Sequence, residues 1–157
     1  MARYLLVLHE LDDSPALVVA AGELSAADPS AKFVLLVPAV APPLDLLLEP
    51  SGSAVRIARR RAQRMRGELL AAGINLIACR LGNYDPFRAV EDATRFTDYS
   101  VVVVAAPPHK LLHFLHSDLA CRVARRFRAL RVIHAGGEPS TPFLGLTREQ
   151  AARSAQH

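Results

Sequence analysis

VVVVA, the stretch Val101–Ala105, decides the fold class of this chain. Four β-branched residues in succession favour a strand, and the lack of alternating polar residues indicates that both faces of the strand are buried. Four other short apolar runs have the same character. They are YLLVLH (residues 4–9), KFVLLV (32–37), INLIAC (74–79) and LRVIH (130–134). Together the five runs predict a five-stranded sheet that is covered on both sides.

Helix signals fill the intervals between these runs. Each interval contains a residue that can cap a helix, and two of the caps precede a proline, which suits the first helical position. The predicted caps are Ser14 before Pro15, Ser53, Asp85 before Pro86, and Ser117. The order is therefore β-α-β-α-β-α-β-α-β. Strands joined by helices run parallel with right-handed crossovers, so we expect a three-layer α/β domain built on a doubly wound parallel sheet.

The composition is typical of one globular domain. Of 157 residues, 51% are hydrophobic and 22% are charged, which excludes disordered, collagen-like and coiled-coil chains. We place the domain at residues 1–135 and interpret residues 136–157 as a linker with a short helix. The apolar runs are too short to span a bilayer. Residues 1–13 lack the apolar stretch of a secretory signal, so we expect a cytoplasmic protein that makes no membrane contact.

The two cysteines, Cys79 and Cys121, lie far apart in the sequence and form no CxxC pair. We interpret both as buried free thiols rather than as a disulfide or a redox pair. They therefore predict no redox function.

Motifs of common enzyme classes are missing from the chain. It has no GxGxxG after the first strand, no GxxxxGK[ST] and no GxSxG. Asp12 and Asp13, with Asp85 after the third strand, resemble the acidic residues of a phospho-acceptor receiver. A receiver also needs a hydroxyl after the fourth strand and a lysine after the fifth, where this chain has alanines and a histidine. We therefore expect no enzymatic activity.

Three histidines follow the fourth strand, together with Lys110; they are His109, His113 and His116. On a helix, spacings of four and three would place them on one face, as a zinc site requires. No acidic or thiol fourth ligand stands beside them, so we expect no metal. We interpret the three histidines as polar residues at the rim of a pocket. Contact with an anion, made together with Lys110, is the alternative.

Arginine supplies most of the positive charge, with 17 arginines and 2 lysines in a chain of net charge +4. On the helix after Ser53, the residues Arg56, Arg60 and Arg64 share one stripe. The predicted apolar face of that helix holds Val55, Ala58, Ala62, Met65 and Leu69. A solvated helix surface explains the stripe, so nucleic acid is not the expected partner. Contact with nucleic acid or an acidic partner is the alternative, although no aromatic residue alternates with these arginines.

Four stretches, in their order and spacing, resemble the universal stress proteins. They are LHELDDSPA (residues 8–16), NYDPFRAVEDA (83–93), YSVVVVAA (99–106) and HSDLACRVARRF (116–127). The first is similar to the family's strand followed by D-G-S-P: Asp12, Ser14 and Pro15 match, and Asp13 replaces the glycine. The second is similar to the family's G-D-P segment, which opens the third helix.

The resemblance implies a fold, a partner and a ligand position. The fold is a five-stranded parallel sheet of the adenine nucleotide alpha-hydrolase-like type. The partner is a second copy of the chain, joined through the last strand, which begins at Leu130 and ends at His134. In family members that bind ATP, the position of Asp12 contacts the adenine side and that of Val37 lies near the base. Ser117 matches the hydroxyl residue at the start of the fourth helix.

ATP-binding members of the family carry G-x2-G-x9-G-[ST] between the fourth strand and the fourth helix, because glycine lets backbone N–H groups approach the phosphates. Here the three glycine places hold Val103, Ala106 and His116. We therefore expect a divergent member that has no cofactor and does not bind ATP in the usual way. Binding of ATP, AMP or another small anion at a non-glycine loop is the alternative. Its candidate residues are Asp12, Ser14, Val37, His109, Lys110, His113 and Ser117.

Overall fold

The computed structural model describes residues 2–9, 15–40, 52–105, 119–127 and 131–135. In these ranges strands and helices alternate as predicted. The strands are β1 (Arg3–Val7), β2 (Lys32–Pro38), β3 (Leu76–Gly82), β4 (Val101–Ala105) and β5 (Arg131–Ala135). The helices are α1 (Pro15–Ala27), α2 (Gly52–Ala71), α3 (Pro86–Arg95) and α4 (Leu119–Arg126). The predicted linker and C-terminal helix, residues 136–157, lie outside the described ranges.

The five strands form one parallel sheet in the order β3-β2-β1-β4-β5. β1 lies at its centre, where Tyr4 is level with Phe33 of β2 and with Val101 of β4. The outer pairs, β2 with β3 and β4 with β5, are parallel as well. This topology confirms the predicted doubly wound α/β fold.

Different helix pairs cover the two faces of the sheet, as a doubly wound fold requires. Buried side chains on the face covered by α1 and α2 include Leu6, Leu35, Val103, Leu17 and Met65. Those on the face covered by α3 and α4 include Leu5, Leu36, Val102, Val90 and Val123. Successive residues of a strand alternate between these two apolar layers. For this reason the central strands form continuous apolar runs in the sequence.

Glycine ends α2, as predicted. Gly73 has a φ of 75°, which lies in the left-handed region that disfavours residues with a Cβ. Its N–H donates to the Leu70 carbonyl, and the N–H of Ile74 donates to the Leu69 carbonyl, both at 3.0 Å. These two bonds satisfy carbonyls that the end of the helix would otherwise leave without partners.

The bounds of four strands differ from the prediction, among them β2, which ends at Pro38 rather than at Val37. β3 was predicted at residues 74–79 but begins at Leu76 and ends at Gly82, because Ile74 takes part in closing the end of α2. The pairing of β3 with β2 also shifts register between Phe33 and Val34. β1 ends at Val7 rather than at His9, and β5 begins at Arg131, one residue later than predicted.

Two predicted burials were wrong. Val55 was assigned to the apolar face of α2, but it is 41% exposed, and Ala54 is buried in its place. Ala54 is the residue in phase with the rest of the buried face, since it stands four residues before Ala58. Cys79 was predicted to be a buried thiol, yet it is exposed, because it lies on β3, at the edge of the sheet. The side chain of Cys121 lies outside the described part of the chain.

Candidate functional site

The strand order reverses at the centre of the sheet, between β1 and β4. From β1 the chain continues to β2 and β3 on one side, whereas β4 leads to β5 on the other. Connections that leave neighbouring strands in opposite directions open a crevice at the carboxyl ends, which is where open α/β sheets bind ligands. The carboxyl ends of β1 and β4 are therefore the candidate site.

The first side of this crevice is the end of β1. Leu8 extends the pairing beyond the strand, because its N–H donates to the Leu36 carbonyl at 3.0 Å. Leu8 is buried, and His9, which follows it, is half-buried. His9 ends the first apolar run of the sequence, so it lies at the carboxyl edge of the sheet. Asp12 and Ser14 lie outside the described residues, in the connection from His9 to the first residue of α1.

The second side is the end of β4, the strand that also holds Val103, the first of the three glycine places implied by the resemblance. Val103 is fully buried in the layer under α1 and α2, and Ala105 is fully buried as well. Val7 is level with Val104, so the chain leaves β1 and β4 at neighbouring points. The segment of residues 106–118, which carries the other two glycine places, lies outside the described ranges. Within the described part of the chain, Val103 is a core residue of β4, and its correspondence to a glycine of the family motif stays a prediction.

Val37 is the predicted site residue that the structure describes. It lies one residue before the end of β2, beside β1, so its backbone is at the carboxyl edge of the sheet. Its side chain is fully buried in the layer under α1 and α2. Val37 thus packs beneath the crevice as part of the core. Its predicted position near a nucleotide base stays a prediction. The other six predicted residues lie outside the described ranges; they are Asp12, Ser14, His109, Lys110, His113 and Ser117.

The residues between β3 and α3 cap the N-terminus of α3 through their side chains. Asn83 Oδ1 accepts the N–H of Asp85 at 3.0 Å, and Asp85 Oδ1 accepts the N–H of Phe87 at 2.9 Å. The same Asp85 oxygen lies 3.5 Å from the N–H of Arg88. These contacts confirm the predicted N-cap and give the carboxylate of Asp85 a structural role. The match to the family's G-D-P segment therefore marks a helix start.

Gly82 allows α3 to approach the carboxyl end of β3 closely. A Cβ built on Gly82 would lie 2.6 Å from the Cβ of Ala89 and 3.1 Å from Leu36 Cδ1. The first distance is too short for two carbon atoms, and Ala89 is itself buried. Glycine at this position therefore fixes how closely the third helix packs against the carboxyl end of β3.

Other arrangements within the described residues do not form a metal or membrane site. No group of three His, Cys, Asp or Glu side chains in those ranges is placed to hold a metal ion. No helix there has both the length and the hydropathy for crossing a bilayer. A depression of about 290 Å³ lies at the opposite, amino edge of the sheet, and it is lined by Ala2, Arg3, Lys32, Asp98, Tyr99 and Ser100.

Comparison with solved structures identifies the fold. A protein of the universal stress protein family from Burkholderia pseudomallei superposes with a TM-score of 0.55 at 20% identity, covering 87% of this chain and 96% of that chain. A universal stress protein in complex with cAMP superposes with a TM-score of 0.57 at 16% identity, covering 85% and 96%. This chain has the universal stress protein fold. No protein-family model and no curated protein matches its sequence.

The universal stress protein fold agrees with the resemblance that the four sequence stretches carry. Three of those stretches coincide with described elements: Asp85 caps α3, Val101–Ala105 is β4, and Leu119–Arg126 is α4. Helix α4 packs one face against the sheet. Leu119 and Val123 are buried, and Phe127 is half-buried.

Proposed function

We propose that this chain is a cytoplasmic, non-enzymatic universal stress protein that acts as a homodimer and does not bind ATP in the usual way. Its crevice lies between the carboxyl ends of β1 and β4. The observation that carries the proposal is the buried Val103 in β4 of this fold, because a side chain stands where nucleotide-binding members have the first glycine of the phosphate loop. Ala106 and His116 occupy the two other places.

The absence of glycine at these places weakens phosphate binding for a physical reason. Phosphate oxygens bound by a loop accept hydrogen bonds from successive backbone N–H groups, which a Cβ keeps at a distance. Pro107 and Pro108, which follow Ala106, have no N–H to donate. The triphosphate of ATP therefore loses the contacts that would hold it, whereas a ligand with one phosphate loses less.

The edge position of β5 supports dimerisation through the last strand. β5 pairs with β4 on one side only in the described sheet, and an edge strand can pair with another chain. Light scattering coupled to size-exclusion chromatography tests this directly. We expect twice the chain mass of 17.0 kDa at micromolar concentration. A mass of one chain throughout a dilution series contradicts the dimer.

A second candidate function is a regulatory protein that binds a small nucleotide or anion through a non-glycine loop. The solved universal stress protein in complex with cAMP favours it, since a protein of the same fold takes a nucleotide with one phosphate. The residues proposed to contact the ligand are Asp12, Ser14, His109, Lys110, His113 and Ser117, with Val37 beneath them.

Mass spectrometry of the purified and then denatured protein separates the two functions. A nucleoside monophosphate or cyclic nucleotide that co-purifies in near-stoichiometric amount supports the second. If none is found, calorimetric titration with AMP and with cAMP follows, using Asp12→Ala as the variant and the exposed residue Asp92→Ala as its control. Heat that is lost in Asp12→Ala and kept in Asp92→Ala supports binding at the crevice. If the unaltered protein gives no heat with either nucleotide, the second function is excluded and the first is supported.

A further inference from the structure

Helix α2 carries a local excess of positive charge. It contains six arginines and one acidic residue, Glu68, within Gly52–Ala71, which gives it a net charge of +5. The full chain has a net charge of +4, so the remaining residues sum to −1. The net positive charge of the protein is therefore no larger than that of this helix.

The arginines of α2 point away from the protein core. The buried face of the helix consists of Ala54, Ala58, Ala62, Met65 and Leu69. Five arginines are exposed, and we call them the α2 arginine face: Arg56, Arg59, Arg60, Arg64 and Arg66. At 100° per residue they cover nearly half of the helix circumference, opposite the buried face. Ten residues separate Arg56 from Arg66, so the face is about 15 Å long.

Two arginines of α4 are used internally. The guanidinium of Arg122 lies 4.6 Å from the ring centroid of Phe87, and Arg126 Nε lies 3.9 Å from Glu91 Oε1. On α2, Arg56 and Arg64 make interactions with the rest of the protein, whereas Arg59 and Arg60 form no ion pair within the described part of the chain. Two adjacent guanidinium groups therefore remain available for an external anion.

We propose that the α2 arginine face binds the phosphate backbone of duplex DNA without sequence preference. A duplex presents one negative charge about every 1.7 Å along its axis when both strands are counted, so about 15 Å of protein surface faces several phosphates. A guanidinium group can donate two parallel hydrogen bonds to one phosphate, whereas the lysine ammonium acts as a point charge. Arginine is therefore better suited to this contact than lysine. The spacing and the residue type both fit a linear polyanion.

Three alternatives fit the surface less well. A single strand binds through bases that stack on aromatic rings, and α2 has no aromatic residue. Insertion into a membrane surface needs an apolar helix face, which α2 buries in the core. A protein interface needs a large apolar centre, whereas the exposed apolar residues Val55 and Leu70 lie about 22 Å apart along the helix.

Fluorescence anisotropy with a labelled duplex of about 20 base pairs, roughly 70 Å long, tests the proposal. Three to five phosphate contacts predict that log affinity falls with log salt at a slope of about −2.7 to −4.5. Between 50 and 200 mM salt the affinity then drops about 40- to 500-fold. The variant Arg59→Gln/Arg60→Gln is expected to make the slope shallower by about 2.

A charge-matched variant provides the control. Arg88→Gln/Arg125→Gln removes the same charge from exposed positions on α3 and α4, on the other face of the sheet. We expect its salt slope to equal that of the unaltered protein. Glutamine is a good helix former, and circular dichroism checks that each variant is folded. Arg66→Gln is the second test variant, with an expected change in slope of about 1.

Several results overturn the proposal. They are no duplex binding at 50 mM salt, an equal loss in the test and control variants, and tighter binding to a single strand of the same length. Stronger binding to phosphatidylserine vesicles or to polyglutamate than to the duplex also overturns it, and would assign the surface to a membrane or an acidic protein. None of these outcomes affects the proposed crevice between β1 and β4.

Discussion

Replacing Gly82 with alanine tests how closely α3 packs against the carboxyl end of β3. The added Cβ would lie 2.6 Å from the Cβ of Ala89, so β3 and α3 must separate. Overpacking of this kind costs about 1–3 kcal/mol of the free energy of unfolding. For a chain of this size that corresponds to a fall in melting temperature of about 2–12 °C.

The same substitution elsewhere supplies the control. Gly67 lies on the exposed side of α2, and a Cβ there meets no atom within 4 Å. Gly67→Ala should therefore stabilise the protein by about 0.4–1 kcal/mol, because alanine is the better helix former and has a smaller unfolded ensemble. In urea denaturation, the free energy of unfolding should therefore fall for Gly82→Ala and rise for Gly67→Ala.

A double-mutant cycle locates the clash. Ala89→Gly alone should destabilise α3 by about 1 kcal/mol. In the Gly82→Ala background, however, it removes the Ala89 Cβ that clashes with the added Cβ, so it should cost less there. We expect a coupling free energy of about 1–2 kcal/mol between the two positions. A Gly82→Ala protein as stable as the parent, or a coupling near zero, would refute the close packing of β3 on α3.

Three further predictions concern single residues. Gly73→Ala should lower the free energy of unfolding by about 1–2 kcal/mol in urea titrations, because Gly73 has a φ of 75°; an unchanged midpoint contradicts this. Asp85→Ala should lower it by about 1 kcal/mol through loss of the bond from the Phe87 N–H, and Asp85→Ser should restore most of the loss. Although Cys79 is an exposed residue of the edge strand, its thiol is partly desolvated, which raises the pKa of the thiol above its ordinary value of 9.0. In a Cys121→Ala background the alkylation rate should therefore reach half of its maximum above that pH in the folded protein and at a lower pH in urea; equal midpoints would be inconsistent with a desolvated thiol.

The central strands could be predicted from sequence because both of their faces are buried. β4 occupies the predicted residues, and β2 extends the prediction by one residue, to Pro38. β3 was misplaced because an edge strand is covered incompletely, so Ile77 and Leu81 stay exposed. The apolar pattern there does not distinguish a strand from the turn that precedes it.

The error at Val55 has a different physical origin. Ala54 and Val55 are adjacent apolar residues, and hydrophobicity alone favours the larger one as the buried residue. The rotation of α2 about its axis is determined by its other buried residues, which are Ala58, Ala62, Met65 and Leu69. In that orientation Ala54 faces the sheet and Val55 faces solvent. Small residues allow α2 to lie close to the sheet, which is a property of packing that a single sequence does not display.

The candidate site could be located but not built from the sequence. The alternation of strands and helices was enough to place it at the carboxyl ends, and the strand order then fixed it between β1 and β4. The local role of Asp85 as a cap followed from its position before Pro86. The burial of Val37 and of Val103 depends on contacts with distant segments, which sequence patterns do not specify.

Titration with ATP tests the proposed function most directly. We propose that the crevice between β1 and β4 has no backbone cradle for a triphosphate, since Val103, Ala106 and His116 occupy the three glycine places. Isothermal titration calorimetry of the nucleotide-free protein should therefore show no ATP binding tighter than about 1 mM, a binding free energy of about −4 kcal/mol. A dissociation constant near 1 μM, about −8 kcal/mol, would contradict the proposal.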